Sequence, residues 1–251
     1  KLESGDAEPP FRYVLADEVQ DFSDSQLRLL RALAPEAEND LFLVGDPHQR
    51  IYGNRSSMGR CGIAIVGRSR RLRVNYRTTA QIGNWAVALL QGLNFDDLDE
   101  GEDNLNGYHA IRNGLKPDVH RFAKNSQEEK YIVKTIQGWL EEPGVQPSHI
   151  CLTTRNRKEL SNRYEPLLKQ SNIPVVRLDK DTPESELPDG VRIGTMHRMK
   201  GLEFPRVLMA GYTSSPAGSS NDHPDQASKE DREQRERSLV YVAATRARDV
   251  L

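Results

Sequence analysis

Two adjacent carboxylates, Asp17 and Glu18, stand at the end of a short apolar run, Tyr13-Val14-Leu15. An acidic pair at the tip of a strand suits phosphoryl transfer. One carboxylate holds a magnesium ion through its hydration shell, and the other orients and deprotonates an attacking water. The same pair is also compatible with a solvated loop, so its weight depends on the rest of the chain. Four further stretches bear on it: Gly45-Asp46-Pro47-His48-Gln49-Arg50-Ile51-Tyr52-Gly53, Asn75-Tyr76-Arg77-Thr78, Thr195-Met196-His197-Arg198-Met199-Lys200-Gly201-Leu202-Glu203-Phe204, and Tyr241-Val242-Ala243-Ala244-Thr245-Arg246-Ala247. Residues 67–77 hold five arginines. Such a run is either a solvated face or a phosphate-contacting surface suited to the planar guanidinium fork.

These groups need elements to position them. Tyr13-Val14-Leu15 and Leu41-Phe42-Leu43-Val44 read as buried strands. Between them Ser23-Asp24-Ser25-Gln26 is a capping-box pattern, followed by Leu27, Leu30, Leu33 and Ala34 at helical spacing. Strand, helix, strand is half of a parallel α/β sheet, whose ligands sit at the carboxyl ends of the strands. Thr78-Thr79 predicts the cap of a helix bearing Ile82, Trp85, Ala86, Leu89 and Leu90. Residues 94–107 are acidic, with Asp96, Asp97, Asp99, Glu100, Glu102 and Asp103, but the ligand and glycine spacing does not fit an EF-hand loop. A surface loop is expected there.

A second capping box, Ser126-Gln127-Glu128-Glu129, predicts a helix carrying Ile132, Val133, Ile136 and Leu140. Strands are expected at 150–153, 173–176, 191–194 and 207–210, and a helix with Leu160, Leu167 and Leu168 is interrupted at Pro166. Residues 178–190 read as a charged loop, 213–230 as a mobile one, and the last helix runs from about Asp231 to Arg248. From residue 126 onward the alternation is a second α/β unit.

The chain's 251 residues allow one large or two modest domains. Charged residues make up 29% of it and the net charge is −2, so any nucleic-acid site has to be local rather than a global basic field. No apolar run reaches membrane-spanning length and no signal peptide opens the chain, so no membrane partner is expected. Cys61 and Cys151 lie far apart without metal-ligand spacing, as reduced thiols of a cytoplasmic protein do.

In this order, the acidic pair and the four later stretches resemble helicase motifs II to VI of the UvrD/Rep/PcrA family of superfamily 1. The resemblance runs from about residue 11 to the end of the chain. It implies an α/β fold of RecA-like, P-loop NTPase type, with parallel sheets. Residues 1–77 would be the later part of a first RecA-like domain, and residues 78–251 a second RecA-like helicase domain. It implies an ATP-dependent translocase or helicase moving 3′ to 5′ on single-stranded or partly duplex DNA, with ATP and Mg2+ as cofactors.

Residue by residue, the resemblance makes Asp17 the magnesium ligand, Glu18 the base and Gln49 the γ-phosphate sensor. Tyr76 would stack on adenine, Glu203 would bond the ribose, and Gly201 would belong to the nucleotide site. Arg77 and Arg246 would reach the γ-phosphate as arginine fingers. Tyr52, Asn54, Arg55, Thr195, His197 and Lys200 would face DNA, where stacking on a base is worth roughly 1–3 kcal/mol. Each role has a plainer alternative. Tyr52 and Tyr76 would be half-buried core aromatics, Arg77 and Arg246 structural partners of carboxylates, His197 merely hydrogen-bonded, and Lys200 a turn cap.

The chain departs from the family in three ways. No Gly-Lys dipeptide occurs, so the phosphate-binding loop Gly-x-x-x-x-Gly-Lys-Ser/Thr is absent from these residues. The expectation is a fragment that needs an upstream P-loop segment of the same protein and does not hydrolyse ATP alone. Asn75 and Thr195 are about 120 residues apart, and the loop at 178–190 between them is too short for the large accessory domain common in the family. Asn54 stands where the family commonly has tryptophan, removing one stacking platform. The rival reading is a degenerate helicase-like module that binds DNA or a protein partner without turnover.

Overall fold

The computed structural model describes residues 8–52, 56–99, 101–103, 105–178, 182–212 and 226–251, the first four of the last stretch as backbone alone. In chain order the elements are β1 (Val14–Ala16), α1 (Asp24–Ala32), β2 (Leu41–Leu43), β3 (Val74–Thr79), α2 (Ala80–Ala88), β4 (Phe95–Asp96), β5 (Glu102–Asp103) and β6 (His109–Arg112). They continue with α3 (Asn125–Glu141), β7 (Ile150–Thr154), α4 (Arg157–Glu159), α5 (Glu165–Gln170), β8 (Val175–Arg177), β9 (Val191–Thr195), β10 (Phe204–Ala210), α6 (Gln226–Ala244) and β11 (Ala247–Val250).

The chain divides into two units. The first is Lys1–Arg73 with Gln91–Tyr108 and Glu230–Ser238; the second is Val74–Leu90 with His109–Lys229 and Leu239–Leu251. This division falls four residues before the boundary expected from the sequence, and the first unit also takes in two later segments.

In the first unit β1 and β2 pair in parallel, Val14 opposite Leu41 and Ala16 opposite Leu43, around α1. Ser23 caps α1 in the reciprocal box with Gln26. Leu27 and Leu30 of the helix pack with Val19, Met58, Cys61 and Ile63, and Val14, Ala16, Leu41 and Leu43 close the cluster. These strands are not buried on both faces, as the sequence suggested. Leu15 is 76% and Phe42 63% exposed, because side chains alternate across a strand and only the even face of β1 meets α1.

The acidic stretch is also not a free surface loop. β4 and β5 form a short antiparallel hairpin. Its neighbour in charge is the arginine run: Arg71 pairs with Asp103 at 3.1 Å, and Arg73 donates to the Asn106 carbonyl. Arg71 and Arg73 thus find partners in residues 94–107, while Arg68 lies 3.9 Å from Asp40, contacts that neither the solvated nor the phosphate reading included.

The second unit is built on a parallel five-stranded sheet in the order β11-β10-β7-β9-β8. Every residue of β7 is buried, as a central parallel strand covered on both faces requires. On one face Ile150, Leu152 and Ile193 pack with Ile132 and Ile136 of α3, Leu168 of α5 and Tyr164. On the other Cys151, Val207 and Ala247 pack with Ile82 of α2, Met199 and Phe204. Burial pushes the Cys151 thiol far up, so it behaves as a core residue. β3 pairs in parallel with β6, and the Thr79 hydroxyl caps α2 by accepting from the Ile82 amide at 3.4 Å.

Three sequence expectations change here. The second capping box does not form: α3 starts at Asn125 behind Lys124, which makes no side-chain cap. Glu128 and Glu129 are taken instead by Arg163, Glu129 at 2.6 Å from its Nε. The helix interruption is a π-helical segment, Leu160–Tyr164, placed just before Pro166, so the proline occupies the start of α5 rather than breaking its interior. The last helix stops at Ala244 because β10 offers an open edge. Phe204 N donates to the Arg246 carbonyl at 2.9 Å, and Ala247 then pairs with Phe204 as β11. Of the expected mobile loop, residues 213–225 lie outside the described residues.

Candidate functional site

In the first unit the two strand ends are tied together. Val44 N donates to the Ala16 carbonyl at 2.9 Å and Val19 N to the Val44 carbonyl at 3.1 Å. The chain then turns sharply at Glu18, whose φ of 55° and ψ of 34° are left-handed, into a one-turn 3-10 helix, Val19–Asp21. The exposed Asp17 carboxylate accepts from Glu18 N through Oδ1 at 2.7 Å.

Gln20, buried at 3% exposure, bridges the two strand ends. Its Nε2 donates to Glu18 Oε2, and its Oε1 accepts from Asp46 N at 3.0 Å. Gly45 is required by this closeness: a Cβ there would lie 2.8 Å from Val19 Cγ2 and 3.0 Å from Gln20 Oε1. Sequence reasoning passed over Gln20. A glutamine two places after the acidic pair, at a buried turn, is the signal that marks it.

Asp46 opens a second 3-10 turn, Pro47–Gln49. Its Oδ1 accepts from His48 N at 2.9 Å and lies 3.1 Å from His48 Nδ1, while its Oδ2 accepts from Gln49 Nε2 at 2.9 Å. Burial opposes ionisation of Asp46, but the hydrogen bond and charge of His48 and the Gln49 amide outweigh it and hold the carboxyl below its usual range. The acidic pair, Gln20, Asp46 and Gln49 are therefore one connected polar network.

Among the described residues no three His, Cys, Asp or Glu side chains group as metal ligands. Mg2+ takes one or two carboxylates and completes its shell with water and substrate phosphates, and the exposed carboxylate of Asp17 fits that mode.

In the second unit Asn75 organises its own motif. Its Oδ1 accepts from Arg77 N at 2.8 Å and Thr78 N at 3.3 Å, and its Nδ2 donates to Thr78 Oγ1. Tyr76 is left 71% exposed, and Arg77 donates from Nε to Glu203 Oε2 at 2.8 Å.

Thr154 of β7 lies opposite both Thr195 of β9 and Ala210 of β10, so the strands end in one row, the edge where parallel sheets hold ligands. From Thr195 the chain makes a 3-10 turn, Met196–Met199. The buried Met196 and Met199 anchor it, His197 is exposed, and Lys200 is half-buried. Gly201, with φ of 80°, supplies the left-handed step that returns the chain to β10.

Residues 70–182 and 176–251 match the UvrD-like helicase C-terminal domain, and residues 5–60 match the UvrD/REP helicase N-terminal domain. The chain belongs to the UvrD-like helicase family. It is 26% identical over 241 residues to a probable DNA helicase of Mycoplasma pneumoniae, an alignment covering 95% of this chain and 42% of that protein. It is 26% identical over 216 residues to the ATP-dependent DNA helicase Rep of Escherichia coli, covering 75% of this chain and 30% of Rep. The crystal structure of the C-terminal domain of a possible DNA helicase from Lactobacillus plantarum superposes with a TM-score of 0.46 at 20% identity, over 70% of this chain and 84% of that one. The chain thus spans less than half the length of these two curated helicases.

Within this UvrD-like chain the structure brings some of the expected residues together and leaves others apart. Asp17, Glu18 and Gln49 are brought together in the first unit through Gln20 and Asp46. Arg77 and Glu203, far apart in sequence, meet in the second. Arg246 is not presented to the surface. It is 2% exposed and folds back on α6, its Nε donating to the Val242 carbonyl at 3.1 Å. Tyr52, like Tyr76, is exposed rather than part of the core. Asn54 and Arg55 lie outside the described residues.

Proposed function

We propose that this chain carries the later part of the nucleotide site and part of the DNA path of an ATP-dependent helicase or translocase. By analogy with its relatives it would move 3′ to 5′ along single-stranded DNA, in the cytoplasm. The reading rests on the network joining Asp17-Glu18 to Asp46-Gln49 through the buried Gln20 amide. Such a network has one base and one amide donor at adjacent strand ends, where a terminal phosphate and its attacking water would need them.

Asp17 would hold Mg2+, which when bound neutralises charge on the phosphates. Glu18 accepts the proton of the attacking water, and Gln20 fixes the carboxylate that does so. Gln49 donates to the terminal phosphate once it exchanges its bond to Asp46. Arg77 stabilises charge in the transition state after leaving Glu203, which is then free to accept from the ribose hydroxyls. Tyr76 gives the adenine a flat apolar face. Thr195, His197 and Lys200 stand at the strand-end row of the second unit as contacts for a DNA backbone, and the exposed Tyr52 ring as a surface for a base.

No Gly-Lys dipeptide occurs in the 251 residues. We therefore propose that turnover requires a phosphate-binding loop on an upstream segment of the same protein. The test is ATP turnover by this segment and by the full-length protein, with and without single-stranded DNA. Turnover by the full-length protein alone, stimulated by DNA and abolished by Glu18→Gln, supports the reading. Turnover by the segment itself, sensitive to the same substitution, would sink the requirement for an added loop.

The Arg77–Glu203 pair and the buried Arg246 favour a second reading, a module that binds DNA without hydrolysis. It predicts no turnover in either protein, and a DNA affinity that falls steeply and linearly on a log–log salt plot.

A further inference from the structure

The segment that carries Gln49 is held at several points by the acidic hairpin β4–β5 and the turn between its strands. Consecutive hairpin residues hold the two neighbours of Gln49. The Phe95 ring lies 4.4 Å from the His48 ring, centroid to centroid. Asp96 takes the Arg50 guanidinium in a two-point pair, Oδ2 to Nη1 at 2.6 Å and Oδ1 to Nη2 at 2.9 Å. The Arg50 side chain is 10% exposed and that of Asp96 32%, so the guanidinium is held from a largely buried position, and the two-point pair fixes its plane as well as its distance.

The grip continues past Gln49. Met58 N donates to the Leu98 carbonyl at 3.1 Å, and Asp99 Oδ1 accepts from Ser57 Oγ at 2.7 Å and Gly59 N at 3.0 Å. Leu98 holds a left-handed φ of 71°, which costs a branched apolar residue about 1 kcal/mol or more and persists only where surrounding contacts over-determine it. Its methyl group fills the space left open by Gly45, 3.0 Å from where a Cβ would stand.

We propose that the acidic hairpin is a positioning element for the Gln49 loop, with Asp96 acting through Arg50 and Phe95 through His48. The proposal rests on the reading of Gln49 as the group that meets the terminal phosphate. Shifting such a donor by about 1 Å costs on the order of a hundredfold in rate, so a bidentate clamp on the adjacent residue has a direct effect on turnover. The acidic residues 96–103, which resemble a calcium loop in composition, thereby have an internal use: Asp96 and Asp99 hold the Gln49 segment, and Asp103 neutralises Arg71.

The test has two arms. In the full-length protein Asp96→Ala should lower the DNA-stimulated kcat about tenfold or more, with KM for ATP within about twofold. Gln49→Ala should lower the same kcat, and adding Asp96→Ala to it should lower kcat by no more than about twofold further, since both substitutions act through one group. In the same full-length protein, backbone hydrogen exchange at Gln49–Ile51 should rise about tenfold in Asp96→Ala, and the charge-exchanged pair Arg50→Asp/Asp96→Arg should recover part of the protection. A normal kcat in Asp96→Ala beside an impaired Gln49→Ala would overturn the hairpin's role alone. Full turnover in Gln49→Ala would overturn the reading of Gln49 and the proposal with it. Unchanged exchange at Gln49–Ile51 in Asp96→Ala would overturn the clamp itself.

Discussion

Arg77 donates from Nε to Glu203 Oε2 across 2.8 Å, joining two residues separated by 126 positions in the sequence. Both side chains are about half exposed, at 44% and 52%. An exposed pair of this kind contributes at most about 1 kcal/mol to stability, because water and salt screen it. Arg77→Ala is therefore expected to change the unfolding free energy by less than about 1 kcal/mol. In the full-length protein it should lower ATP turnover about a thousandfold, the scale of an arginine finger. Urea unfolding and steady-state kinetics on the same variant check both halves. A large loss of stability with turnover intact would mark the arginine as structural.

Gln20 is the costlier residue to remove. Its truncation takes the Oε1 acceptor away from the Asp46 amide and the Nε2 donor away from Glu18, both in partly buried bonds at the strand ends. Gln20→Ala should cost about 1–3 kcal/mol in urea unfolding, the scale of an unsatisfied buried polar group. Gln20→Glu should cost more at neutral pH, since it places a second carboxylate against Glu18. The gap between the two variants should narrow at acid pH, where the introduced carboxyl is neutral and no longer repels its neighbour.

Asp40 gives the first unit an acid limit. Burial opposes its ionisation, yet the Arg31 hydrogen bond, the Ala37 and Leu41 amides and the Arg31 charge outweigh it and hold the carboxyl below its usual range. Arg31 Nη2 lies 2.7 Å from Asp40 Oδ2. A depressed folded pKa means that the unfolded chain takes up the proton first as pH falls. The stabilisation is complete above the unfolded pKa of about 3.9 and is lost as pH drops through the folded value. Asp46 acts in the same direction. Asp40→Asn should destabilise the protein at pH 7, and its difference from the parent should shrink toward pH 3 in parallel urea titrations.

Arg163 is the hub of the second unit's polar cluster. It pairs with Glu128, reaches Glu129 at 2.6 Å, Tyr164 Oη at 3.0 Å and the Asn125 carbonyl at 3.1 Å. Glu128 in turn accepts from Gly211 N at 2.9 Å, next to the end of β10. Arg163→Ala leaves two partly buried carboxylates side by side and should cost about 3 kcal/mol or more. Adding Glu128→Gln and Glu129→Gln should return part of that loss, because the uncompensated charge then disappears. A thermal melt of the single and triple variants measures it.

Local order was legible where a residue's partner is near in sequence. Ser23 and Gln26 cap α1 as their spacing predicts, because a capping box is closed by atoms three residues apart. The central strands were legible because a strand covered on both faces has to be a continuous apolar run, as Ile150-Cys151-Leu152 is. The motif order that marks the UvrD-like family is likewise a property of the sequence alone, since it is read from residue types and their succession.

Distant partners could not be read. Ser126 through Glu129 have the letters of a capping box, but Arg163 binds the glutamates, and charge-assisted bonds to a guanidinium outweigh a cap. The acidic residues 96–103 read as a free loop because their partners, Arg50, Ser57 and Arg71, precede them by tens of residues. Gln20 looked like any polar residue until β1 and β2 paired and brought Asp46 N within 3.0 Å of it. The sequence by itself determined which groups are available for chemistry and the elements that carry them. Only the tertiary structure decided which of those groups face one another, because ion pairs and hydrogen bonds act over a few ångströms and the chain must fold before that distance exists.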